Sequence, residues 1–239
     1  MTFVSNDSRH WLELMKVVQR KIPIPDKDAE FKLGVFLEFR LCDYTSAVEK
    51  ILTRAEIEAR EEDTLERIVG DWQRKEVPVK FFMDTDVPLL YLGHDELQRL
   101  NDDVVSLSTL LQRSTGAPVG TNVEPIVSFH QKRGQELKDT LQQASDVLRL
   151  LATCQDLWSM LLPLFDTDEI RQDLPLDSKS FRESDSTLRF LLNRLQKMKY
   201  VLKIAKETGV TSKLASLIER LEGCKKGIWW ACMLRFLDF

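Results

Sequence analysis

The residues that could take part in chemistry are histidines, cysteines and carboxylates, and their spacing forms no recognisable centre. His10, His94 and His130 lie far apart, and none of them stands four residues from another ligand-type residue in a metal-binding pattern. No serine lies in the G-x-S-x-G turn of a hydrolase nucleophile. The acidic run from Glu56 to Asp63 is typical of a solvated helix face rather than of a general acid and base. We therefore predict no catalytic residue, no metal ligand and no cofactor-binding residue in this chain.

Phosphate chemistry is disfavoured by the positions of the glycines. A P-loop reads G-x-x-x-x-G-K-[ST], because the glycines let the backbone approach the phosphates and the lysine reaches the β and γ phosphates. None of the 9 glycines is followed by lysine. The chain is therefore predicted to have no ATPase site, and an enzyme with an unrecognised site is the least favoured class of function.

The composition is typical of a helix-rich protein. It is 43% hydrophobic and 30% charged, with only 8 prolines. A length of 239 residues corresponds to one large or two small domains. The formal charge of -4 gives no excess of positive charge, so neither nucleic acid nor an anionic membrane surface is an expected partner.

The N-terminus and the cysteines favour a reduced, intracellular protein. Residues 1–8 lack the basic region and the apolar run of a signal peptide. The uncharged apolar stretches fall far short of the ~20 residues that a membrane span needs. Cys42, Cys154, Cys224 and Cys232 are scattered, without the spacing of a zinc or redox site.

The stretch from Arg133 to Phe165 has the clearest pattern in the chain. Apolar residues recur there at alternating steps of four and three, which predicts one face of a long amphipathic helix. These positions are Leu137, Leu141, Ala144, Leu148, Leu151, Gln155, Trp158 and Leu162. Gln155 is the polar member, and a buried amide without partners costs on the order of 1 to 3 kcal/mol. It is predicted either to reach a hydrogen-bond partner, with a register-setting role favoured, or to lie where this face opens to water.

Other stretches predict further helices and one hairpin. Helical spacing occurs at Asp7 to Lys21, Tyr44 to Trp72, Gly93 to Leu111, Asp185 to Lys206 and Thr211 to Gly223. Between the second and third of these, the period changes to two, with apolar residues alternating on either side of a turn at residues 84–86. This pattern predicts a β-hairpin at about residues 77–92. Because a lone hairpin is marginal in water, its apolar face is expected to lie on neighbouring helices.

Two stretches interrupt the helical pattern. Ser114 to Asn122 contains two glycines and a proline, and it is the best hinge candidate in the chain. The C-terminal stretch from Trp229 to Phe239 crowds aromatic residues where a soluble chain normally becomes polar.

Several short motifs occur in one order over about residues 9–228. Arg9-His10-Trp11 begins the series, and Trp72 precedes the predicted hairpin. The run from Gln155 to Phe165 is similar to a Q-x-x-W-x-x-L-E-x-I-F pattern. Together these motifs resemble the linker region of the dynein heavy chain, the segment just N-terminal to its motor ring. The residues that carry the resemblance are Arg9, His10, Trp11, Trp72, Gln155, Trp158, Phe165, Leu174, Pro175, Phe181 and Asp185.

The resemblance implies a fold and a mechanical function. The implied fold is mainly α, with elongated helical bundles of the dynein linker type and one inserted β-hairpin. Residues 1–8 would form an N-terminal tail, residues 9–228 the linker-like region and residues 229–239 a divergent C-terminal tail. In dyneins the linker bends and swings over an ATPase ring, which converts nucleotide state into movement along a microtubule. The implied partners are the motor ring and other dynein subunits, with the microtubule contacted only indirectly.

Departures from the family pattern leave two functions open. Leu162 stands where the family has glutamate, Leu188 stands where it has tryptophan, and the family continuation is missing after Ile228. The chain is therefore either a lever segment of a dynein heavy chain or a stand-alone helical adapter derived from a dynein linker. The implied location is the cytoplasm and cytoskeleton. The run from Leu110 to Pro118 is more similar to axonemal outer-arm chains than to cytoplasmic ones, which favours the axoneme of a cilium.

Overall fold

The computed structural model describes residues 8–22, 39–83, 85–115 and 131–237. Within these ranges the chain is mainly α-helical with one two-stranded antiparallel sheet, which confirms the predicted fold class. Residues 116–122 of the hinge candidate lie outside the described residues, whereas Ser114 and Thr115 end a helix.

Helices precede and follow the two strands, which are consecutive in the chain. In chain order the elements are α1 (Ser8–Val18), a 3-10 turn (Leu41–Tyr44), α2 (Thr45–Gln73), β1 (Val79–Phe81), β2 (Pro88–Leu90), α3 (His94–Thr115), α4 (Gln131–Phe165), α5 (Asp168–Asp173), α6 (Pro175–Met198), α7 (Val201–Ala205) and α8 (Val210–Leu237). Local signals set several boundaries. Gly93 donates its N–H to the Glu96 carboxylate three residues later at 3.2 Å, which is the backward half of a capping box at the start of α3. Pro175 is the first residue of α6, where its fixed φ suits a helix and its missing N–H costs nothing.

The chain forms two compact units. The first comprises residues 1–67 and 109–134. Its N-terminal core holds the apolar stripe of α1 against the 3-10 turn and α2. The buried members are Trp11, Leu14, Val18, Ile22, Leu41 and Ile51. Gly134, near the start of α4, allows a close approach in this unit, because a Cβ there would lie 3.3 Å from Leu111 Cδ2. The stripe predicted for the first helix is thus buried, with Met15 only half-buried.

The second unit comprises residues 68–108 and 135–239, and α4 supplies much of its core. The predicted face of α4 is buried from Leu141 to Trp158, and it is half-buried at Leu137 and Leu162. Burying a leucine side chain stabilises the fold by about 1.5 to 3 kcal/mol relative to leaving it in water. α6 packs on α8, which buries Leu188 and Leu192 on one helix and Leu214 and Leu221 on the other.

Two of the predicted helices have wrong boundaries. The helix expected at Asp185 to Lys206 begins ten residues earlier, at Pro175, and ends at Met198. It is interrupted because Lys199 adopts φ 64° and ψ -48°, and α7 begins two residues later. The final helix was expected to end at Gly223, but α8 continues to Leu237. Its glycines lie inside the helix rather than ending it.

The hairpin is present, but only one of its two strands is buried. The register pairs Val79 with Leu90, Lys80 with Leu89 and Phe81 with Pro88. All three residues of β2 are buried, whereas all three residues of β1 are exposed. The expectation that the apolar face of the hairpin lies on neighbouring helices is therefore confirmed for β2 and wrong for β1. Only β2 packs inside, because it is the strand that contacts α6 and, through its backbone, α4.

Candidate functional site

The centre of the candidate site is a two-point hydrogen bond between Gln155 and the backbone of β2. The Leu90 N–H donates to Gln155 Oε1 at 2.7 Å, and Gln155 Nε2 donates to the Leu90 carbonyl at 2.9 Å. Both residues are almost completely buried, with 0% of Gln155 exposed. The side-chain amide thus takes the place of a neighbouring strand. Of the two alternatives for Gln155, the one in which it reaches a hydrogen-bond partner is confirmed.

The ladder pattern explains why this bond is needed. In an antiparallel pair, N–H and C=O groups point alternately toward the partner strand and away from it. Leu90 lies opposite Val79 at a position whose backbone groups point away from β1. Without Gln155 both groups of Leu90 would be buried and unpaired. The Gln155 amide pairs with both groups, and it thereby fixes the position of β2 along α4.

Trp158 lies on the same face of α4 and contacts the hairpin and α6. Its indole is completely buried and meets the Phe82 ring edge-to-face, with 5.0 Å between the ring centroids. Its Nε1–H donates to Asp185 Oδ1 at 2.8 Å. Arg189 donates to the same oxygen at 2.7 Å, and its guanidinium lies 5.4 Å from the centroid of the indole. We call Leu90, Gln155, Trp158 and Asp185 the hairpin dock.

A second polar contact lies beside the hairpin dock. The Tyr91 hydroxyl donates to Asp156 Oδ1 at 2.7 Å. Burial, together with this hydrogen bond and the negative charge of Asp156, raises the pKa of Tyr91 well above its usual value. The phenol therefore stays neutral and keeps its proton for the hydrogen bond.

Four other residues of the resemblance lie at or near the junction of α4 and α6. Phe165 and Phe181 are both buried, and their rings stack with 4.7 Å between centroids and 14° between planes. Leu174 accepts the Ser178 N–H at 2.9 Å and precedes Pro175, so this pair starts α6. These residues shape the connection between two helices.

Arg9, His10 and Trp11 lie in the first unit, where Arg9 and His10 face Glu58 of α2. Arg9 Nη2 lies 3.2 Å from Glu58 Oε2, and His10 Nε2 lies 3.5 Å from the same oxygen. His10 is buried, and its Nδ1 has no hydrogen-bond partner among the described residues. Trp11 is buried in the core of this unit. We call Arg9, His10, Trp11 and Glu58 the N-terminal dock.

Trp72 has a separate carboxylate partner in the second unit. It is buried at the end of α2, and its Nε1–H donates to Asp103 Oδ2 of α3 at 2.8 Å. Lys75, which follows the end of α2, contacts Glu96 of α3. The hydrogen bond from Lys75 lowers the pKa of Glu96 below the usual carboxyl range. Trp72 therefore joins α2 to α3 and takes no part in the hairpin dock.

The described residues show no arrangement suited to a metal ion, and two of their cysteines are buried. No group of three or more metal-ligand side chains comes together in the described part of the chain. Cys154 is completely buried in the second unit, and burial raises the pKa of its thiol to about 12. Burial also raises the pKa of Cys224. None of the described helices has the length and apolarity that a bilayer crossing requires.

Sequence reasoning missed the partners of the dock residues. Arg189 stands four residues after Asp185, and this spacing is a usable signal for an ion pair on one helix turn. The bond between Tyr91 and Asp156 spans 65 residues and leaves no local signal. The same holds for Leu90, whose contribution is its backbone rather than its side chain.

Comparisons with known proteins give one consistent answer. Residues 5–229 match the family described as "Dynein heavy chain, N-terminal region 2". The chain is 25% identical to the dynein alpha chain of the flagellar outer arm of Chlamydomonas reinhardtii. It is 26% identical to dynein axonemal heavy chain 9 of Homo sapiens and 27% identical to dynein axonemal heavy chain 11 of Sus scrofa. Each match covers 92% of this chain and 5% of the relative.

The family match extends over nearly the whole chain and includes both docks. It confirms the resemblance that was identified from motifs such as Arg9-His10-Trp11 and Gln155-x-x-Trp158. The chain belongs to the dynein heavy chain family, in which it corresponds to N-terminal region 2.

Proposed function

We propose that this chain is a mechanical linker segment, a lever, of a dynein heavy chain that takes part in microtubule-based movement. Membership of the family supports a dynein-related role. The mechanical part of the proposal rests on the hairpin dock. A lever must transmit a displacement without its elements sliding past one another.

The observation that carries the proposal is the double hydrogen bond between Gln155 and Leu90. Sliding β2 by one residue along α4 would break both bonds, because the backbone N–H and C=O groups of the neighbouring residues point the opposite way. Two hydrogen bonds in a dry core therefore resist a shear motion that apolar contacts alone would tolerate. The indole of Trp158 adds a third fixed point through Asp185 of α6.

In this proposal the chain transmits force and does not hydrolyse ATP. Support comes from the sequence, in which no glycine is followed by the lysine that the P-loop motif requires. The partners would be the ATPase ring of the motor and other dynein subunits, with the microtubule contacted only indirectly. The place of action would be the cytoskeleton, in particular the axoneme that the names of the relatives indicate.

Full-length transcripts test the lever directly. An open reading frame that continues beyond Phe239 into P-loop modules would support it, whereas a stop codon at that point would contradict it. In the longer protein, Gln155→Leu should slow microtubule gliding with little change in ATP turnover, because the lever would yield. The matched control is Gln142→Leu at an exposed site of the same helix, which should leave gliding unchanged. Equal gliding by the two variants would contradict the mechanical part of the proposal.

Bending is proposed at Ser114 to Asn122. Hydrogen–deuterium exchange should show this stretch opening faster than α3 before it and α4 after it. Uniform protection across the stretch and both helices would contradict a hinge there.

A stand-alone adapter is the second candidate. The observation that favours it is the exposure of Trp229 and Trp230 on α8, at 60% and 57%. Exposed tryptophans are typical anchors of protein interfaces. A stop codon after Phe239 in full-length transcripts would favour this candidate over the lever.

A further inference from the structure

The outer edge of β1 has open backbone groups. Tyr91 donates its N–H to the Pro78 carbonyl, and Phe82 donates to the Val87 carbonyl, so these residues face across the hairpin. The alternation of the ladder then places the N–H and C=O groups of Val79 and Phe81 on the outside. Within the described residues no hydrogen bond to these groups is found. The equivalent groups of Leu90 on the opposite edge are bound by Gln155.

The side chains along this edge are apolar and exposed. Val79 is 36% exposed, Phe81 60% and Met83 75%. An exposed strand edge with apolar side chains is a template on which another strand can pair.

A segment of the same chain already pairs with the residues that precede β1 on this edge. Glu76 forms an antiparallel bridge with Tyr200, and Val77 donates its N–H to the Lys199 carbonyl at 2.9 Å. Val77 has the same ladder parity as Val79, so its N–H points to the same outer side. The connection between α6 and α7 thus occupies the start of the edge and leaves the rest open.

Lys80 decides what kind of strand can be added. It is exposed, and no ion-pair partner for it is found in the described part of the chain. If a second copy paired antiparallel through both open residues, Lys80 would lie opposite the same lysine of that copy, which is unfavourable. An acidic residue at that position would be favoured instead. The shortness of the strand and the charge of Lys80 also guard the edge against unselective pairing.

We propose that the outer edge of β1 is a docking site for an extended segment of a partner protein. The segment pairs antiparallel with Val79 to Phe81 and carries an acidic residue opposite Lys80, flanked by apolar β-formers. Backbone hydrogen bonds supply the attraction, and the acidic residue supplies the selection.

A defined peptide tests this proposal. The probe is a dye-labelled peptide with blocked ends and the central sequence Thr-Val-Asp-Val-Thr, and the measurement is fluorescence anisotropy with the full chain. We expect saturable binding below about 1 mM. Phe81→Pro removes one outward N–H, which the hairpin does not use, and should weaken binding by roughly 10-fold. Protection of the Leu90 amide in this variant verifies that the hairpin is still formed.

Two further substitutions distinguish backbone pairing from non-specific apolar binding. Phe81→Thr removes the ring but keeps the N–H, so it should weaken binding less than Phe81→Pro does. Lys80→Glu should bind the peptide poorly and should regain binding when the aspartate of the peptide is replaced by lysine. No binding by the unaltered chain, or equal binding by Phe81→Pro, would overturn the proposal. Dimerisation of the chain that Phe81→Pro abolishes would overturn the choice of partner in favour of a second copy.

Discussion

The hairpin dock and the N-terminal dock each place a tryptophan in a core, but they hold the neighbouring polar group in different ways. In the hairpin dock, a neutral amide binds neutral backbone groups, and both are removed from water. In the N-terminal dock, the buried carboxylate of Glu58 faces Arg9, which is 40% exposed, and buried His10. Neutral pairs in a dry core do not depend on salt, whereas a half-exposed ion pair is screened by it. The hairpin dock should therefore keep its strength at salt concentrations that weaken the N-terminal dock.

The largest expected effect is at Gln155. Gln155→Leu should lower the free energy of unfolding by about 2 to 4 kcal/mol, because the N–H and C=O of Leu90 both lose their partner in the core. Urea denaturation followed by circular dichroism and tryptophan fluorescence measures this change. Gln142→Leu, at an exposed site of α4, should change stability by less than about 0.5 kcal/mol. Similar losses in the two variants would mean that the hairpin dock has no special role.

A smaller effect is expected at Trp158. Trp158→Phe keeps an aromatic ring but removes the Nε1–H that donates to Asp185, so the loss should be about 1 to 2 kcal/mol. It should stay below the loss at Gln155, because Asp185 keeps the hydrogen bond from Arg189. Trp229→Phe is the exposed control and should be nearly neutral in the same denaturation experiment. A larger loss of stability for Trp158→Phe than for Gln155→Leu would show that the Trp158 ring, rather than the Gln155 amide, contributes most to the stability of the hairpin dock.

The N-terminal dock should respond to salt. Arg9→Met should cost roughly 0.5 to 1 kcal/mol at low ionic strength, in the range of half-exposed ion pairs. The cost should shrink toward zero at about 1 M NaCl, where the Debye length is about 3 Å. The cost of Gln155→Leu should be the same at both salt concentrations. A salt-independent cost at Arg9, or a salt-dependent one at Gln155, would remove the distinction between the docks.

The smallest expected effect concerns pH and the pair of Lys75 and Glu96. Because Lys75 holds the pKa of Glu96 below its usual range, this carboxylate contributes stability above its unfolded pKa of about 4.3. That contribution is lost as the pH falls through the lower folded value. The stability difference between the unaltered chain and Glu96→Gln, roughly 0.5 kcal/mol at pH 7, should therefore vanish in this acidic window. The cost of Gln155→Leu should show no such pH profile, and a parallel loss in both would contradict the neutral character of the hairpin dock.

The fold was largely predictable where one period persists over many turns. The face of α4 is an example, because an apolar stripe of that length has few alternatives. The break at Lys199 was not predictable, since a left-handed lysine is set by the surrounding structure rather than by its type. The exposure of β1 was not predicted, because an alternating pattern gives two faces but does not say which strand of a hairpin is covered.

The candidate site was only half predictable. Burial of Gln155 was the favoured alternative because of its place in the apolar face, and a buried amide must find partners. Its partner could not be found, because Leu90 offers backbone groups that every residue has. The choice of Leu90 depends on the ladder parity of the hairpin, which is fixed only when the register of the two strands is known.

Amide hydrogen exchange at one cross-strand pair tests the central claim most directly. Val79 and Leu90 lie opposite each other, but the Leu90 N–H is bound by Gln155 and the Val79 N–H points outward. Leu90 should exchange much more slowly than Val79 at both low and high salt, and Gln155→Leu should accelerate Leu90 by at least roughly 10-fold while Val79 is unchanged. If Leu90 exchanged as fast as Val79, or if Gln155→Leu left its rate unaltered, Gln155 would not be what fixes the hairpin to α4.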